Sequence, residues 1–454
     1  MLQLALILAC SPAVRSSETM VIHEWGTFTV LQDDAGSAIA GINVDDVPVP
    51  DFVYDAMPGQ LQALDDLSPA LEAAHPQNKG IPPSANPLIT MRLETPVIYV
   101  HPGANGAGQA LDVQVVLHGG WLSQFFPQAV AAYPTRQVGR FIRPVPLSGS
   151  TISSLSWSGI RIGTPSDTAP ASTDAVWTAP RQVSAAELGV GNQAERFLFY
   201  RGVAHLDAPV HVRRAADGRL SMSIDAGAGT IPHVQLVDIR PDGSVAYRRI
   251  EVSAAAVSDA GPERFADTDY SPGKRAALRQ ELAADLRRNG LFADEAEALL
   301  NTWDGSYFRS AGLRLFFIVP RAWVDTVLPL NVNLPASIER AMVGRIDLIS
   351  PDKRALLHAI EQGPTSHPTW MADFLAQQVY QPDGKGGTAL RPGGLPMLLK
   401  LSQPGGLQRI GIAVPPDYAA YLGLGRFRNA LVLNACRDRT QAGLMAFAKV
   451  YGIL

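Results

Sequence analysis

The chain has very little cysteine, with Cys10 and Cys436 the only two among its 454 residues. If Cys10 is removed with a leader or carries a lipid, Cys436 has no partner within the chain. A disulfide framework and a cysteine-based zinc site are therefore excluded. Cys436 follows an apolar helical pattern, which predicts an inert, packed thiol.

The sequence also lacks long apolar runs, a large excess of charge of one sign and internal repeats. The apolar run at residues 1–9 is too short for a membrane span, which needs about 20 residues. The net charge is −4 and no long basic run occurs, so the sequence shows no basic cluster of the kind that binds nucleic acid. With 46% hydrophobic residues, the chain can bury cores for two or three domains.

Common catalytic motifs are absent as well. His23-Glu24 begins like the zinc-protease helix motif, but that motif needs a second histidine where Thr27 stands. The sequence contains no Gly-x-Ser-x-Gly elbow, no Walker A loop and no EF-hand loop. The glycines within residues 103–108 have the wrong order for a dinucleotide fingerprint.

The N-terminus resembles an export signal over residues 1–19. A short apolar run leads into Ile7-Leu8-Ala9-Cys10, which resembles a bacterial lipobox, and a polar stretch follows. The basic segment that normally precedes such a run is missing. Three interpretations remain: a lipoprotein attached to the membrane through Cys10, plain secretion, or a cytosolic chain with a buried N-terminus. The first two place the protein outside the cytoplasm, in the periplasm, on the outer membrane or secreted.

The composition pattern divides the rest of the chain into three parts. Residues 20–89 have no clear periodicity, which predicts an irregular segment packed on the core. Residues 90–258 show period-two alternation, as at Leu111–Leu117, and Asp-Gly turns at residues 216–218 and 241–243. We expect these turns to form hairpins within an antiparallel β-sandwich.

Residues 259–454 predict a mixed helical and β region. Leu278, Leu282 and Leu286 lie four apart, and Gly290 is suited to end that helix. Further helices are expected at residues 295–303, 352–362, 370–380 and 426–451, strands at 313–319, 324–332 and 343–349, and a surface excursion at 381–407. The predicted fold class is therefore β-rich α+β.

A metal-like spacing occurs in His205-Leu206-Asp207-Ala208-Pro209-Val210-His211. In an extended segment His205 and Asp207 project to one face, and a bend at Pro209 would let His211 join them. Together with His23, such a set suits zinc or iron(II), with Glu24 as general base. The alternative is that these residues lie at a solvent-exposed strand end.

Aromatic residues suggest a second kind of site. Trp25, Trp121 and the strand-end His118 predict a surface that binds a glycan or a protein partner, and the alternative for His118 is a hairpin corner. Trp303, Tyr307 and Phe308 would either stack a sugar or pack a helix onto a sheet.

Two charged pairs each allow more than one interpretation. Arg92 and Glu94 would project to one strand face, as an ion pair or as part of a polar site. Asp45 and Asp46 would bind calcium, act as acid and base, or simply be turn residues.

Several segments together resemble an uncharacterised family of exported bacterial proteins. The likeness covers about residues 20–350, and the marker is the heptapeptide His23–Thr29. It implies export and a shared architecture, but no activity, cofactor or site residue, and His101 and His118 fall outside its segments. The other segments are Leu93–Tyr99, Phe197–Gly202 and Glu295–Arg314.

Two hypotheses on function follow from the sequence. The first is an exported cell-envelope protein that serves as a β-sandwich binding or structural module. The second is an extracytoplasmic metal-dependent hydrolase or oxygenase, in which a bound metal lowers the pKa of its water. The enzyme hypothesis requires His23 and His205 to converge, and the binding hypothesis requires exposed aromatic residues.

Overall fold

The computed structural model describes residues 19–44, 47, 49–56, 85–103, 108–163, 169–252, 257–367, 369–401 and 413–454. It contains 36% strand and 27% helix, which confirms the β-rich α+β class. The export-like residues 1–18, including Cys10, and the pair Asp45-Asp46 lie outside the described residues.

The strands are numbered in chain order. They are β1 Met20–Gln32, β2 Tyr54–Asp55, β3 Met91–His101, β4 Ala110–His118, β5 Gly120–Phe126, β6 Val130–Ala132, β7 Thr135–Val138, β8 Phe141–Pro144, β9 Ile152–Ile162, β10 Leu188–Val190, β11 Gln193–Glu195, β12 Leu198–Ala204, β13 Val210–Arg214, β14 Arg219–Ile224, β15 His233–Ile239, β16 Val245–Glu251, β17 Ser258–Pro262, β18 Gly312–Ile318, β19 Leu330–Val332, β20 Ala336–Leu348, β21 Tyr380–Pro382 and β22 Thr388–Leu390.

The helices are fewer and lie mostly in the C-terminal half. They are α1 Ala175–Thr178, α2 Pro272–Arg288, α3 Ala293–Thr302, α4 Asp304–Phe308, α5 Arg321–Val327, α6 Pro351–Gln362, α7 Thr369–Gln378, α8 Gly394–Leu401, α9 Pro416–Gly423, α10 Arg428–Ala435 and α11 Ala442–Val450, with 3₁₀ turns at Pro180–Gln182 and Asp267–Asp269. Of the helices in these ranges, none has the length and apolarity needed to cross a bilayer.

A nine-stranded sheet organises the molecule, in the order β16-β15-β18-β20-β1-β3-β12-β5-β2. Its centre is the parallel pair β1 and β20, while the pairs on either side are antiparallel. The prediction of an irregular segment is therefore wrong for Met20–Gln32, which is a buried central strand. The predicted boundaries at residues 90 and 258 do not divide this sheet, since its strands come from Met20 to Leu348.

Each face of the nine-stranded sheet is covered by a different layer. On one face, Trp25 and Tyr99 pack against leucines of α2 and α3. On the other, Ile98 and Val100 share a core with Val113, Leu155 and other residues of a six-stranded sheet ordered β11-β10-β9-β4-β19 with β6 beside β9. The central strands are thus buried on both faces, which makes them near-continuously apolar instead of alternating.

Local turn chemistry predicted the hairpins correctly. Strand β13 pairs with β14 across residues 215–218, and β15 pairs with β16 across residues 240–244. Gly218 and Gly243 adopt φ of +81° and +82°, which suits glycine because it has no Cβ. The helix predicted around Leu282 is α2, with Gly290 at φ +99° beyond its end.

Two predictions of local structure were wrong in the C-terminal half. Residues 324–332 do not form one strand, because α5 runs through Val327 and only Leu330–Val332 is strand. Pro320 is the N-cap of this helix, and a short segment rich in valine and leucine could not by itself distinguish a short buried helix from a strand. The helix expected over residues 426–451 is divided into α10 and α11.

A β-bulge explains the glycine of the heptapeptide. Trp25 pairs with Val97 while Thr27 pairs with Glu94, so β3 carries one extra residue at this point. A Cβ on Gly26 would lie 2.9 Å from the Pro96 Cα. Thr95 beside it has φ +49°, the left-handed region that few side chains adopt.

We expect Gly26→Ala to destabilise the protein by about 1–3 kcal/mol, because the added methyl group overlaps backbone at Pro96. The measurement is the free energy of unfolding from chemical denaturation. Gly305→Ala is the matched control, since a Cβ there meets nothing within 4 Å and alanine favours the helix. Equal stability of the two variants would contradict the close approach of Pro96.

Candidate metal centre

Two histidines are brought together by the pairing of β1 with β3. His23 pairs with Tyr99 and Val21 pairs with His101, so the imidazoles are diagonal neighbours on the helix-covered face. Their ring centroids lie 5.2 Å apart. His23 is 1% exposed, whereas His101 is at the strand end and keeps 15% of its side chain exposed.

A carboxylate reaches the same point from helix α3. Glu295 is the third residue of that helix, and its Oε2 accepts the backbone N–H of Phe292 at 2.7 Å. This is the carboxylate half of a capping box, which fixes the side chain at the helix start. Buried Leu299 and Leu300 hold α3 against the sheet, so the carboxylate is aimed at the histidines.

The three side chains form one compact cluster. His23 Nδ1 lies 2.6 Å from Glu295 Oε2, and His101 Nε2 lies 2.8 Å from Glu295 Oε1. All the potential ligand atoms lie within 4.8 Å of one another. The Phe292 ring packs against both imidazoles, with centroids at 4.5 and 4.8 Å, and shields the cluster on one side.

The surroundings keep Glu295 ionised. Burial alone would raise the pKa of this carboxyl, but hydrogen bonds from His101 and His23 and from the Phe292 N–H lower it to about 2. The start of α3 adds a partial positive charge that also favours the carboxylate. At neutral pH the cluster therefore presents a negative oxygen ligand between two imidazoles.

Two imidazole nitrogens and one carboxylate oxygen suit zinc or iron(II). Three protein ligands leave at least one coordination position open, as catalytic zinc and non-haem iron sites do. Within the described ranges, this is the one group of three or more His, Cys, Asp or Glu side chains close enough to hold an ion.

The metal set predicted from the sequence is not assembled. His205 and Asp207 are exposed just beyond β12, and His205 Nδ1 contacts the Leu88 carbonyl at 2.8 Å. His211 is in β13, where it contacts Asp225 Oδ1 and the Gly36 carbonyl, both at 2.9 Å. His23 does lie in a metal-like cluster, but its companions there are His101 and Glu295.

The predicted catalytic role of Glu24 is also not supported. Successive residues of a strand face opposite sides, so Glu24 points away from His23. It is fully buried, accepting hydrogen bonds from the Tyr200 hydroxyl and from Arg340 Nε, each at 2.5 Å. Arg340 also contacts Asp325, which is half exposed. Glu24 is therefore one half of a buried ion pair, without contact to the cluster.

Trp25 and Trp121 do not form the predicted aromatic binding surface. Trp25 is 0% exposed and Trp121 is 4% exposed, so both belong to apolar cores. His118 is exposed, with Nδ1 2.9 Å from the Thr326 carbonyl, at the tight turn between β4 and β5. This agrees with the alternative of a hairpin corner.

Three further sets of residues singled out in the sequence have structural roles. Trp303, Tyr307 and Phe308 are buried and pack helices onto the sheet. Arg92 and Glu94 form the predicted ion pair, with Nε 3.2 Å from Oε1. Cys436 is buried in the C-terminal apolar core, as expected for an inert thiol.

Sequence reasoning missed His101 and Glu295. His101 follows the apolar run Val97–Val100, and the missing step was the pairing of strand β3 with the strand that carries His23. Glu295 had one local signal, its position three residues after Phe292 at the start of a helix. The comparisons add no assignment: neither any protein-family model nor any curated protein matches this chain.

Proposed function

We propose that this protein is an exported metalloprotein that binds one divalent transition metal through His23 Nδ1, His101 Nε2 and a Glu295 oxygen. The observation that carries the proposal is the buried convergence of these three side chains from two strands and a helix. Zinc and iron(II) are the candidate ions, because both accept imidazole and carboxylate ligands.

The side chains of the cluster must adjust to accept an ion. Bonds of about 2.0–2.1 Å in a tetrahedral site separate the ligand atoms by about 3.3 Å. The present contacts of 2.6 and 2.8 Å are hydrogen bonds to two different Glu295 oxygens, and the ligand atoms lie within 4.8 Å of one another. Each imidazole must therefore give up its bridging proton, and the ligand atoms must shift relative to one another by up to about 1.5 Å. Metal binding should therefore release protons and weaken at low pH.

Catalysis is the second candidate function, favoured by the open coordination position and by the exposed edge of His101. A water bound there would have a lowered pKa and supply hydroxide for hydrolysis, and iron(II) would supply oxygenase chemistry.

The glycan-binding alternative loses its support because Trp25 and Trp121 are buried. Export, with lipidation of Cys10 as one form of it, is supported by residues 1–19 and by the family resemblance.

Elemental analysis of protein purified without chelator or affinity-tag metal tests the proposal. We expect near-stoichiometric zinc or iron in the wild type and loss of the metal in His23→Ala, His101→Ala and Glu295→Gln, because each change removes one of three ligands. Glu297→Gln on the same helix is the matched control, since its side chain is 57% exposed and pairs with Arg279.

His205→Ala tests the set first predicted from the sequence and should retain the metal, because His205 is exposed and its imidazole contacts the Leu88 carbonyl, away from the cluster. Absence of metal from the wild type, even after anaerobic reconstitution with zinc and with iron(II), would overturn the proposal and leave the cluster as a structural hydrogen-bond network.

A further inference from the structure

A cavity of about 620 Å³ opens at the other end of the nine-stranded sheet from the metal centre. His23 is level with Glu339 on β20, and Asp347 lies eight residues further along the same strand. At about 3.3 Å per residue this separates the two regions by about 26 Å. The cavity is bounded by the end of β15, the start of β18, the first turn of α6 and the segment 263–270.

Lys353 lines this cavity from the first turn of α6. The helix is capped by Ser350, whose Oγ accepts the backbone N–H of Lys353 at 3.2 Å. The Lys353 amine lies beside Gly312, where a Cβ would come within 3.8 Å of Nζ. Within the part of the chain that the structure describes, this half-buried amine makes no hydrogen bond and no ion pair.

The charges around the amine already balance without it. Arg345 donates to Asp347 at 3.0 Å, and Arg314 lies 3.4 Å from the same carboxylate. Asp238, on the cavity wall, accepts a hydrogen bond from Tyr270 at 2.5 Å. Asp347 is therefore held by two guanidinium groups and Asp238 by the Tyr270 hydroxyl, so a charged Lys353 would have no counter-ion of its own.

This environment favours the neutral amine. Burial lowers the pKa of Lys353, and Arg314 and Arg345 lower it further, while Asp347 and Asp238 act in the opposite direction. A neutral lysine amine in a cavity is a nucleophile toward carbonyl carbon.

We propose that Lys353 is a reactive amine that forms an imine with small, uncharged aldehydes or ketones admitted to this cavity. The nitrogen lone pair attacks the carbonyl carbon to give a carbinolamine. The carbinolamine then loses water, which contains the former carbonyl oxygen and both protons of the neutral amine. The C=N bond remains. No oxidant or second reactant is needed, and the step is reversible.

The lining indicates an uncharged ligand. Three of its four carboxylates are already held. Glu263 is paired with Arg214 and Arg354, Asp267 is paired with Arg240, and Asp238 accepts a hydrogen bond from Tyr270. The fourth, Asp352, is balanced in charge by Arg264, so the wall offers an anionic carbonyl compound no surplus of positive charge. The remaining wall is aromatic and aliphatic, from Phe265, Tyr270, Leu313 and Leu356, and suits a small, weakly polar molecule.

The test is site-resolved trapping on the folded wild-type protein. The chain has six lysines, Lys79, Lys274, Lys353, Lys385, Lys400 and Lys449, so each can be followed in its own peptide. Limiting glycolaldehyde with cyanoborohydride converts an imine into a stable secondary amine, which mass spectrometry locates. We expect Lys353 to be modified first, by about tenfold over exposed lysines for each unit by which its pKa is lowered.

Two controls make the outcome decisive. The preference for Lys353 should disappear in denaturant, and glyoxylate, the anionic counterpart, should label it more slowly than glycolaldehyde does. Lys353→Met should lose that adduct while Lys274 and Lys449 react as before. Equal labelling of all lysines in the folded protein, or an unreactive Lys353, would overturn the proposal without touching the metal centre, since the two regions share no residue.

Discussion

Zinc or iron(II) should stabilise the wild-type protein against unfolding and leave Glu295→Gln unchanged. An ion at 1,000 times its dissociation constant adds about 4 kcal/mol when it binds only the folded state. His23 and Glu295 are 272 residues apart in the chain, so the unfolded state does not hold the site together. The measurement is the free energy of unfolding with and without added metal.

The same substitution should also weaken the metal-free protein. Glu295 accepts hydrogen bonds from two imidazoles and from the Phe292 N–H. Glutamine replaces one acceptor oxygen by a donor NH₂ group, which leaves buried donors facing each other. Each buried polar group left unpaired costs about 1–3 kcal/mol.

Glu297→Gln separates the metal effect from the effect on helix α3. Its side chain is exposed, so the variant should show the full metal-dependent gain and nearly wild-type stability without metal. If Glu295→Gln gained as much stability from the metal as Glu297→Gln does, the ion would bind elsewhere and the proposed ligands would be wrong.

The parts of this fold that were predicted from sequence are those set by local chemistry. The hairpins at Gly218 and Gly243 and the end of α2 at Gly290 depend on residues within one turn of each other. The alternation in β4 was visible because that strand has a half-exposed face. In each case, a short stretch contains the whole signal.

Strand β1 was missed for the opposite reason. It has layers on both faces, and its burial is almost continuous from Met20 to Gln32, so no period of two appears. The candidate site depends directly on this strand and on its pairing with β3, which joins residues about 70 positions apart. A single sequence contains no local signal for such a pairing, so His23 was identified while His101 was not.

The local spacing His205–His211 was misleading for a related reason. Short spacing makes a set of ligands easy to notice, but it does not make the side chains converge. His205 lies in the loop after β12, and His211 belongs to a separate three-stranded sheet. The cluster that does converge takes its members from β1, β3 and α3.

Breaking the buried pair of Glu24 and Arg340 is expected to cost about 3–5 kcal/mol in Glu24→Gln, because a guanidinium with 0% side-chain exposure loses its main counter-ion. Burial, the largest cause of the raised pKa of Tyr200, remains in this variant, so the hydroxyl stays protonated and cannot supply the missing charge. Half-exposed Asp325 compensates only in part. Chemical denaturation measures the loss, and Glu251→Gln in an exposed pair with Arg249 should cost no more than about 1 kcal/mol.

Replacing both partners distinguishes a structural pair from a catalytic residue. In Glu24→Met with Arg340→Met, the buried charges disappear together, and we expect stability to recover toward the wild type because methionines can fill the space with apolar contacts. Metal content should stay unchanged throughout, since Glu24 lies on the opposite face of β1 from His23. A Glu24→Gln variant that kept full stability but lost the metal, or lost a metal-dependent activity alone, would return Glu24 to the site and contradict the ion-pair role. The double variant is therefore the decisive measurement, because a group needed for chemistry is not restored by removing its neighbour.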